Sequence, residues 1–135
     1  MITPTPQTAS SVTLTRGFRV AVAPAYLPDH SEPEAERFVF GYRIRITNES
    51  RRRAKLVARR WLIVDGVGER QEVQGEGVVG QQPQLDPGQT FVYSSFCPLP
   101  TPRGTMEGAY TMQAETGDVF EVDIGRFYLL GPNEG

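Results

Sequence analysis

The clearest pattern in the sequence is an alternation over residues 38–46, in which large apolar residues recur at every second position and alternate with Val39, Gly41, Arg43 and Arg45. The apolar set occupies the even positions: Phe38, Phe40, Tyr42, Ile44 and Ile46. Arg43 and Arg45 lie between them, and a period of two is typical of a strand with one buried face. The alternation therefore predicts a strand whose aromatic and aliphatic side chains face a core and whose arginines face solvent.

The same alternation recurs along most of the chain. It covers four further segments, residues 12–22, 69–79, 90–96 and 106–124, with Arg16 interrupting the first and Pro24 ending it. Residues 56–64 are apolar on both parities, which favours a central strand covered on both faces. After residue 124 the apolar positions become odd, and a one-residue slip at Gly125 is what a β-bulge produces.

Turn residues separate these segments and define the fold class. Asp65-Gly66 is typical of a hairpin, Asp86-Pro87-Gly88-Gln89 fits a type II turn, and the prolines of residues 98–102 indicate a loop. About seven strands without an amphipathic helix predict an all-β protein with a single antiparallel β-sandwich, in preference to a closed barrel. We expect a flexible N-terminal segment at residues 1–11, the sandwich at 12–130 and a flexible tail at 131–135.

Composition narrows the class of protein. The chain has 135 residues, enough for one domain, and a formal net charge of −2. A dedicated nucleic-acid site normally shows as a basic excess, so none is expected. Residues 1–11 have no basic or apolar stretch, and no segment is long and apolar enough to span a membrane, so we expect neither a secretory signal nor a membrane protein. The single cysteine, Cys97, fits a reducing cytoplasm, the predicted location.

A glycine-rich segment is the most distinctive motif. Gly75, Gly77 and Gly80 have the spacing G-x-G-x-x-G. In dinucleotide-binding proteins this spacing precedes a helix whose N-terminus holds the pyrophosphate. Here Gln81-Gln82-Pro83 follows, so no helix can begin, and the glycines are better explained by unusual backbone conformation or close packing. An anion-binding nest of backbone amides remains open.

Other candidate chemistry is sparse. His30 and Cys97 are far apart in sequence, and we expect an exposed imidazole and a packed thiol instead of a catalytic pair. The acidic residues 29–36 match no metal-ligand spacing, so a solvated loop is expected. No metal, cofactor or enzymatic activity is predicted. A basic set lies farther along and is a candidate for anion or partner recognition: Arg51, Arg52, Arg53, Lys55, Arg59 and Arg60.

A longer ordered set of residues resembles the ApaG family. It runs through Phe40-x-Tyr42-x-Ile44-x-Ile46-x-Asn48, Ala58-Arg59-x-Trp61-x-Ile63-x-Asp65-Gly66, the glycine segment, Phe91-x-Tyr93-x-Ser95 and Cys97-Pro98-Leu99 to Met112. Arg60 stands where relatives often carry histidine, which puts any family role for an imidazole there in doubt. The resemblance implies a fibronectin type III-like sandwich, a link to cobalt resistance and magnesium efflux, and, from the family's presence in eukaryotic F-box and polymerase-interacting proteins, a binding module.

Two functions follow from these observations. The first is a non-catalytic interaction module that presents residues 75–83 and the strand at Arg59–Trp61 to a protein partner or a small anionic ligand. Its candidate residues are Gly75, Gly77, Gly80, Arg59, Arg60 and Trp61. The alternative is a protein that binds phosphate, pyrophosphate or a nucleotide through the glycine-rich loop 75–80. A sandwich with exposed edge strands is also able to form a homodimer through them.

Overall fold

The computed structural model describes residues 9–132 and confirms an antiparallel β-sandwich. Its strands are β1 (Ser11–Thr15), β2 (Phe18–Tyr26), β3 (Phe38–Asn48), β4 (Ala54–Asp65), β5 (Arg70–Glu76), β6 (Gln84–Leu85), β7 (Thr90–Leu99), β8 (Arg103–Ala114) and β9 (Val119–Leu130). One sheet has the order β1-β2-β3-β7, and the other has β5-β4-β8-β9 with the short β6 also paired to β4. Two 3-10 turns, Pro28–His30 and Pro33–Ala35, occupy the predicted acidic loop.

The core lies between the two sheets, as the alternation in β3 predicts. Phe40, Ile44 and Ile46 are fully buried, while Arg43 and Arg45 are exposed. The second sheet contributes the facing layer, in which Tyr110, Met112 and Phe127 are the large fully buried side chains. No helix among residues 9–132 is long and apolar enough to cross a membrane. The predicted flexible ends fall largely on residues 1–8 and 133–135, which lie outside the described part of the chain.

The prediction of one strand over residues 12–22 is wrong, because this segment is a hairpin. Arg16 and Gly17 both have positive φ, 54° and 85°, which is the geometry of a tight two-residue turn. Such a turn pairs Thr15 with Phe18 on the same face. Even-numbered residues of β1 and β2 therefore face opposite ways, and Val12 and Leu14 are exposed instead of buried.

The prolines also proved compatible with strands. β2 continues through Pro24, and β7 continues through Pro98. β1 does not extend as far as Pro24, so no residue of β1 needs a hydrogen bond from it. β7 is an edge strand of its sheet, where a residue without an N–H is tolerated. The expected strand end at Pro24 and the expected loop at Pro98 are therefore wrong.

Two β-bulges in the second sheet change whether the even-numbered or the odd-numbered residues of a strand face the core. The predicted slip at Gly125 is confirmed, since the pairing of β8 with β9 shifts between Met106–Phe127 and Gly108–Ile124. A second shift in β4 lies between Leu56 and Ala58. This bulge turns both Leu56 and Trp61 toward the core. The apolar residues at even and odd positions of β4 therefore result from the bulge, and the prediction of a strand covered on both faces is wrong.

One open side of the sandwich is closed by side chains of β1. The Ser11 hydroxyl donates to the Gly125 carbonyl at 2.8 Å, and the Thr13 hydroxyl donates to the Asp123 carbonyl at 2.7 Å. The Asp123 amide in turn donates to the Thr15 hydroxyl at 3.2 Å. β1 therefore contacts β9 of the other sheet without pairing with it as a strand.

Candidate functional site

The glycine-rich segment forms a rigid turn at the end of β5. Val78 and Gln81 exchange two backbone hydrogen bonds of 2.8 and 2.9 Å around Val79 and Gly80. Both central residues have positive φ, 44° and 79°, so residues 78–81 make a tight two-residue turn. Val78 is fully buried and anchors the turn to the core. No helix follows, in agreement with the expectation from Gln81-Gln82-Pro83.

The bulge in β4 holds this turn in place. The Val57 carbonyl accepts the Gly77 amide at 2.9 Å and the Gln82 side-chain amide at 3.0 Å. Gly77 is required there by close approach, since a Cβ on it would lie 2.1 Å from the Gln81 carbonyl oxygen. The two strand irregularities, bulge and turn, therefore form one local structure.

The structure brings Arg59 to the glycine turn. Arg59 lies opposite Gly75 in the β4–β5 pairing, and a Cβ at Gly75 would be 2.7 Å from the Arg59 guanidinium. That guanidinium donates to the carbonyls of Glu76 and Gly77, both at 3.1 Å. The missing side chain at Gly75 therefore makes room for the arginine that closes the base of the turn.

Arg60 and Trp61 do not join this surface. Arg60 points to solvent and pairs with Glu121 of β9 at 3.1 Å. Trp61 is only 3% exposed and packs edge-on against Tyr42 and Phe127, with ring centroids 5.5 and 5.9 Å away. The expectation that Trp61 is presented to a partner is therefore wrong, because the β4 bulge turns this residue into the core.

Most of the hydrogen-bond donors at the base of the turn are directed at the chain itself. A cradle directs backbone N–H groups at the anion. Here the amides of Gly77, Val78 and Gln81 are engaged within the chain. Arg59 directs its donors at carbonyl oxygens of the turn. The Arg59 guanidinium and these three amides are therefore engaged by the chain itself.

A buried group of tyrosines was not predicted as a cluster, although its members belong to the alternating pattern. The hydroxyls of Tyr93 and Tyr110 hydrogen-bond each other across the two sheets. Burial raises the pKa of Tyr42, Tyr93 and Tyr110, and the nearby positive charge of Arg59 only partly opposes this effect. These phenols are therefore neutral hydrogen-bonding groups of the core and not acids or bases near neutral pH.

The raised tyrosine pKa values predict a loss of stability at alkaline pH. The unfolded chain releases these protons near the ordinary pKa of 10.0, whereas the folded chain keeps them to higher pH. Above about pH 10 the unfolded state binds fewer protons, so stability falls as pH rises. Phenolate absorbance of the buried tyrosines should appear together with loss of the β-sheet circular dichroism. The Tyr110→Phe variant should show a shallower decline, and phenolate signal from all five tyrosines in a folded protein would contradict the prediction.

Cys97 and His30 have the environments that the sequence predicts. Cys97 is buried, and burial raises the pKa of its thiol to about 11, so little of it is a nucleophilic thiolate at neutral pH. His30 is exposed on the first 3-10 turn. Among residues 9–132, no group of three or more histidine, cysteine or acidic side chains is placed to hold a metal ion.

An antiparallel sandwich with a bulge-anchored glycine turn defines the structural class, and comparison with known proteins gives the family. The chain belongs to the ApaG family, since the ApaG domain matches residues 28–114. It is 50% identical over 119 residues to the protein ApaG of Methylobacterium sp. strain 4-46, covering 88% of this chain and 92% of the relative. It is 52% identical over 121 residues to the protein ApaG of Brucella anthropi, covering 90% and 93%.

Solved structures agree with this assignment. The crystal structure of an ApaA protein from Bordetella pertussis superimposes with a TM-score of 0.82 at 46% identity, covering 93% of this chain and 98% of that one. A second X-ray structure also gives a TM-score of 0.82, at 41% identity, and covers 87% and 89% of the two chains. The sandwich fold is therefore shared with two solved structures that are 41–46% identical to this chain.

Proposed function

We propose that this protein is a non-catalytic recognition module that binds a protein partner through its glycine turn, residues 77–82. The observation that carries the proposal is Val79. This β-branched residue has a φ of 44°, in the left-handed region that L residues with branched side chains rarely adopt, and its side chain is 51% exposed. The left-handed conformation costs about 1–2 kcal/mol at such a residue.

A strained residue persists only where its surroundings hold it in place, and such residues are concentrated at binding sites. Val79 follows the buried Val78 and precedes Gly80, and the turn is fastened to the β4 bulge through Gly77 and Gln82. The turn therefore displays an apolar side chain in a fixed position. A fixed binding loop loses little conformational freedom when a partner binds, which favours affinity.

The surroundings of Val79 indicate the chemistry of the partner. Glu76, Gln81 and Gln82 are exposed beside it, so one apolar contact is bordered by polar groups. A small apolar centre with a polar rim is the usual composition of a transient protein–protein interface. On this proposal, the association with cobalt resistance and magnesium efflux that the family resemblance implies is indirect and runs through the partner.

Substitution of Val79 tests the proposal. Asparagine tolerates the left-handed conformation, so Val79→Asn should melt no lower than the wild type. It should nevertheless lose partner capture in cross-linking pull-downs from a lysate of the source organism, analysed by quantitative mass spectrometry. The matched control is Val67→Asn, which changes an exposed valine in the β4–β5 connection.

The expected result is a protein captured by the wild type and by Val67→Asn but not by Val79→Asn. Equal recovery of the same proteins with all three baits would contradict a binding role for the turn. A large drop in melting temperature of Val79→Asn would show that the valine is instead needed for folding.

The alternative function, phosphate or nucleotide binding at the glycine loop, predicts a different result. Under it, pyrophosphate, ATP or NAD would shift the amide resonances of residues 75–80 in an NMR titration. The recognition-module proposal predicts no saturable shifts at these residues with any of the three.

A further inference from the structure

A basic pocket lies at the end of the sandwich where the Arg16-Gly17 turn meets the loop before β4, and it shares no residue with the glycine turn. It has a volume of about 280 Å³ and is bordered by Arg16, Arg51, Arg52 and Arg53. Its floor is apolar and includes Phe18, Ala54, Ala114 and Phe120, and Asp118 is the acidic residue on its border. Pockets for small ligands usually have volumes of about 300–1,000 Å³. This pocket is close to the lower limit, so it is suited to a small molecule or a single side chain.

Most of the positive charge in this pocket is not neutralised within the chain. The side-chain ion pairs found among residues 9–132 engage Arg19, Arg53, Arg60 and Arg126. Arg53 pairs with Asp86, whereas Arg16, Arg51 and Arg52 have no carboxylate partner in that part of the chain. A pocket with three such guanidinium groups should attract a multiply charged anion.

The arginine loop is held rigidly by a buried asparagine. Asn48 is fully buried, and its side-chain amide donates to the carbonyls of Arg52 at 2.8 Å and Leu85 at 2.9 Å. Its side-chain oxygen accepts from the amide and hydroxyl of Ser50 at 2.9 and 2.6 Å. The backbone that carries Arg51, Arg52 and Arg53 is therefore already ordered before any ligand binds.

Arg16 reaches the pocket from a different hairpin. Gly17 packs against Ser50 so closely that a Cβ on it would lie 2.7 Å from the Ser50 Cβ, and its carbonyl accepts the Glu49 amide at 2.7 Å. The Arg16 guanidinium lies 5.2 Å from the centroid of the Phe120 ring. Arg16 also has positive φ, at a turn position that asparagine, aspartate or glycine would fill with less strain.

We propose that this pocket binds an organic phosphate monoester. Guanidinium groups match the oxygens of a phosphate dianion and form paired, charge-assisted hydrogen bonds with it. The apolar floor beneath the arginines is suited to the organic group that carries the phosphate. The same chemistry is available from a free nucleotide and from a phosphorylated tyrosine of a protein. The proposal is independent of the one for the glycine turn, because no residue is shared between the two sites.

An NMR titration with phenyl phosphate tests this proposal. Saturable amide shifts are expected at residues 16, 50–53 and 118–120, with none centred on residues 75–80. Inorganic phosphate should bind at least about five-fold more weakly, because it leaves the apolar floor uncovered. Affinity should fall as salt is added, since the anion is held by exposed charges.

Charge-removing variants provide the decisive comparison. Arg16→Asn, which suits the turn, and the double variant Arg51→Gln with Arg52→Gln should each weaken phenyl phosphate binding about ten-fold or more. Arg45→Gln, an exposed arginine on the outer face of β3, is the matched control and should leave the affinity unchanged. Equal loss in the control, or no saturable binding of phenyl phosphate by the wild type, would overturn the proposal.

Two further ligands then distinguish the source of the phosphate. Tighter binding of AMP would point to a free nucleotide, and tighter binding of a short phosphotyrosine peptide would point to a modified protein. Binding of either one at the arginine pocket supports the shared chemistry. Shifts at residues 75–80 in place of residues 50–53 would contradict it and would revive the glycine-loop alternative.

Discussion

Ile44→Ala is expected to lower the free energy of unfolding by about 3 kcal/mol, within the range of about 2–5 kcal/mol for buried truncations. Ile44 is fully buried and lies between Val22 of β2 and Tyr93 of β7 in the first sheet. Neither neighbour can move into the space without breaking the pairing of its strand. Urea denaturation followed by circular dichroism measures the change, and an unchanged m-value would show that the comparison is between equivalent folded states.

The matched control is the next residue along β3. Arg45 is exposed on the opposite face, so Arg45→Ala should change the free energy of unfolding by no more than about 0.5 kcal/mol. Similar losses at the two positions would mean that the assignment of the faces of β3 is incorrect.

The second large effect is expected at Asn48. Asn48→Ala removes four hydrogen bonds and leaves the carbonyl of Leu85 without this donor in a buried setting. Each unsatisfied buried polar group costs about 1–3 kcal/mol, so we expect a total loss of about 3 kcal/mol of stability. The amide resonances of residues 50–53 should also broaden or shift, because the arginine loop loses its anchor.

Thr47→Ala provides the comparison for Asn48. The Thr47 hydroxyl makes a single exposed hydrogen bond, 3.1 Å long, with the hydroxyl of Thr90. Its removal should cost about 1 kcal/mol or less. If Asn48→Ala and Thr47→Ala unfold at the same urea concentration, the hydrogen bonds of Asn48 do not anchor the arginine loop.

The sequence pattern predicts this fold where the strands are regular and fails where they are not. From Phe40 onward β3 alternates between buried and more exposed residues, so its period identifies both the strand and its buried face, although Val39 before it is buried as well. The hairpin at Arg16-Gly17 escapes prediction because arginine is not a residue expected at positive φ. The β4 bulge escapes because a change of parity within one strand looks the same as a strand that is apolar on both sides.

The candidate sites are less predictable because each depends on pairing between distant segments. The lack of a helix after Gly80 follows from Gln81-Gln82-Pro83 alone. The contact of Arg59 with the turn depends on the register of β4 and β5, and Trp61 becomes buried through the bulge beside it. Arg16 reaches the arginine loop only because Phe18 pairs with Asn48. No local signal in the sequence specifies that pairing.

The hydroxyl groups of β1 that reach β9 also bear on aggregation. An uncovered strand edge offers N–H and C=O groups to which another molecule can add a strand. Ser11, Thr13 and Thr15 occupy such groups at Gly125 and Asp123 of β9. The edge strand β5 has charged, exposed side chains along its length, and β7 carries Pro98 near its end. β1 therefore closes one side of the sandwich, while charged residues on β5 and a proline on β7 at the other side oppose the strand-by-strand addition that produces insoluble fibres.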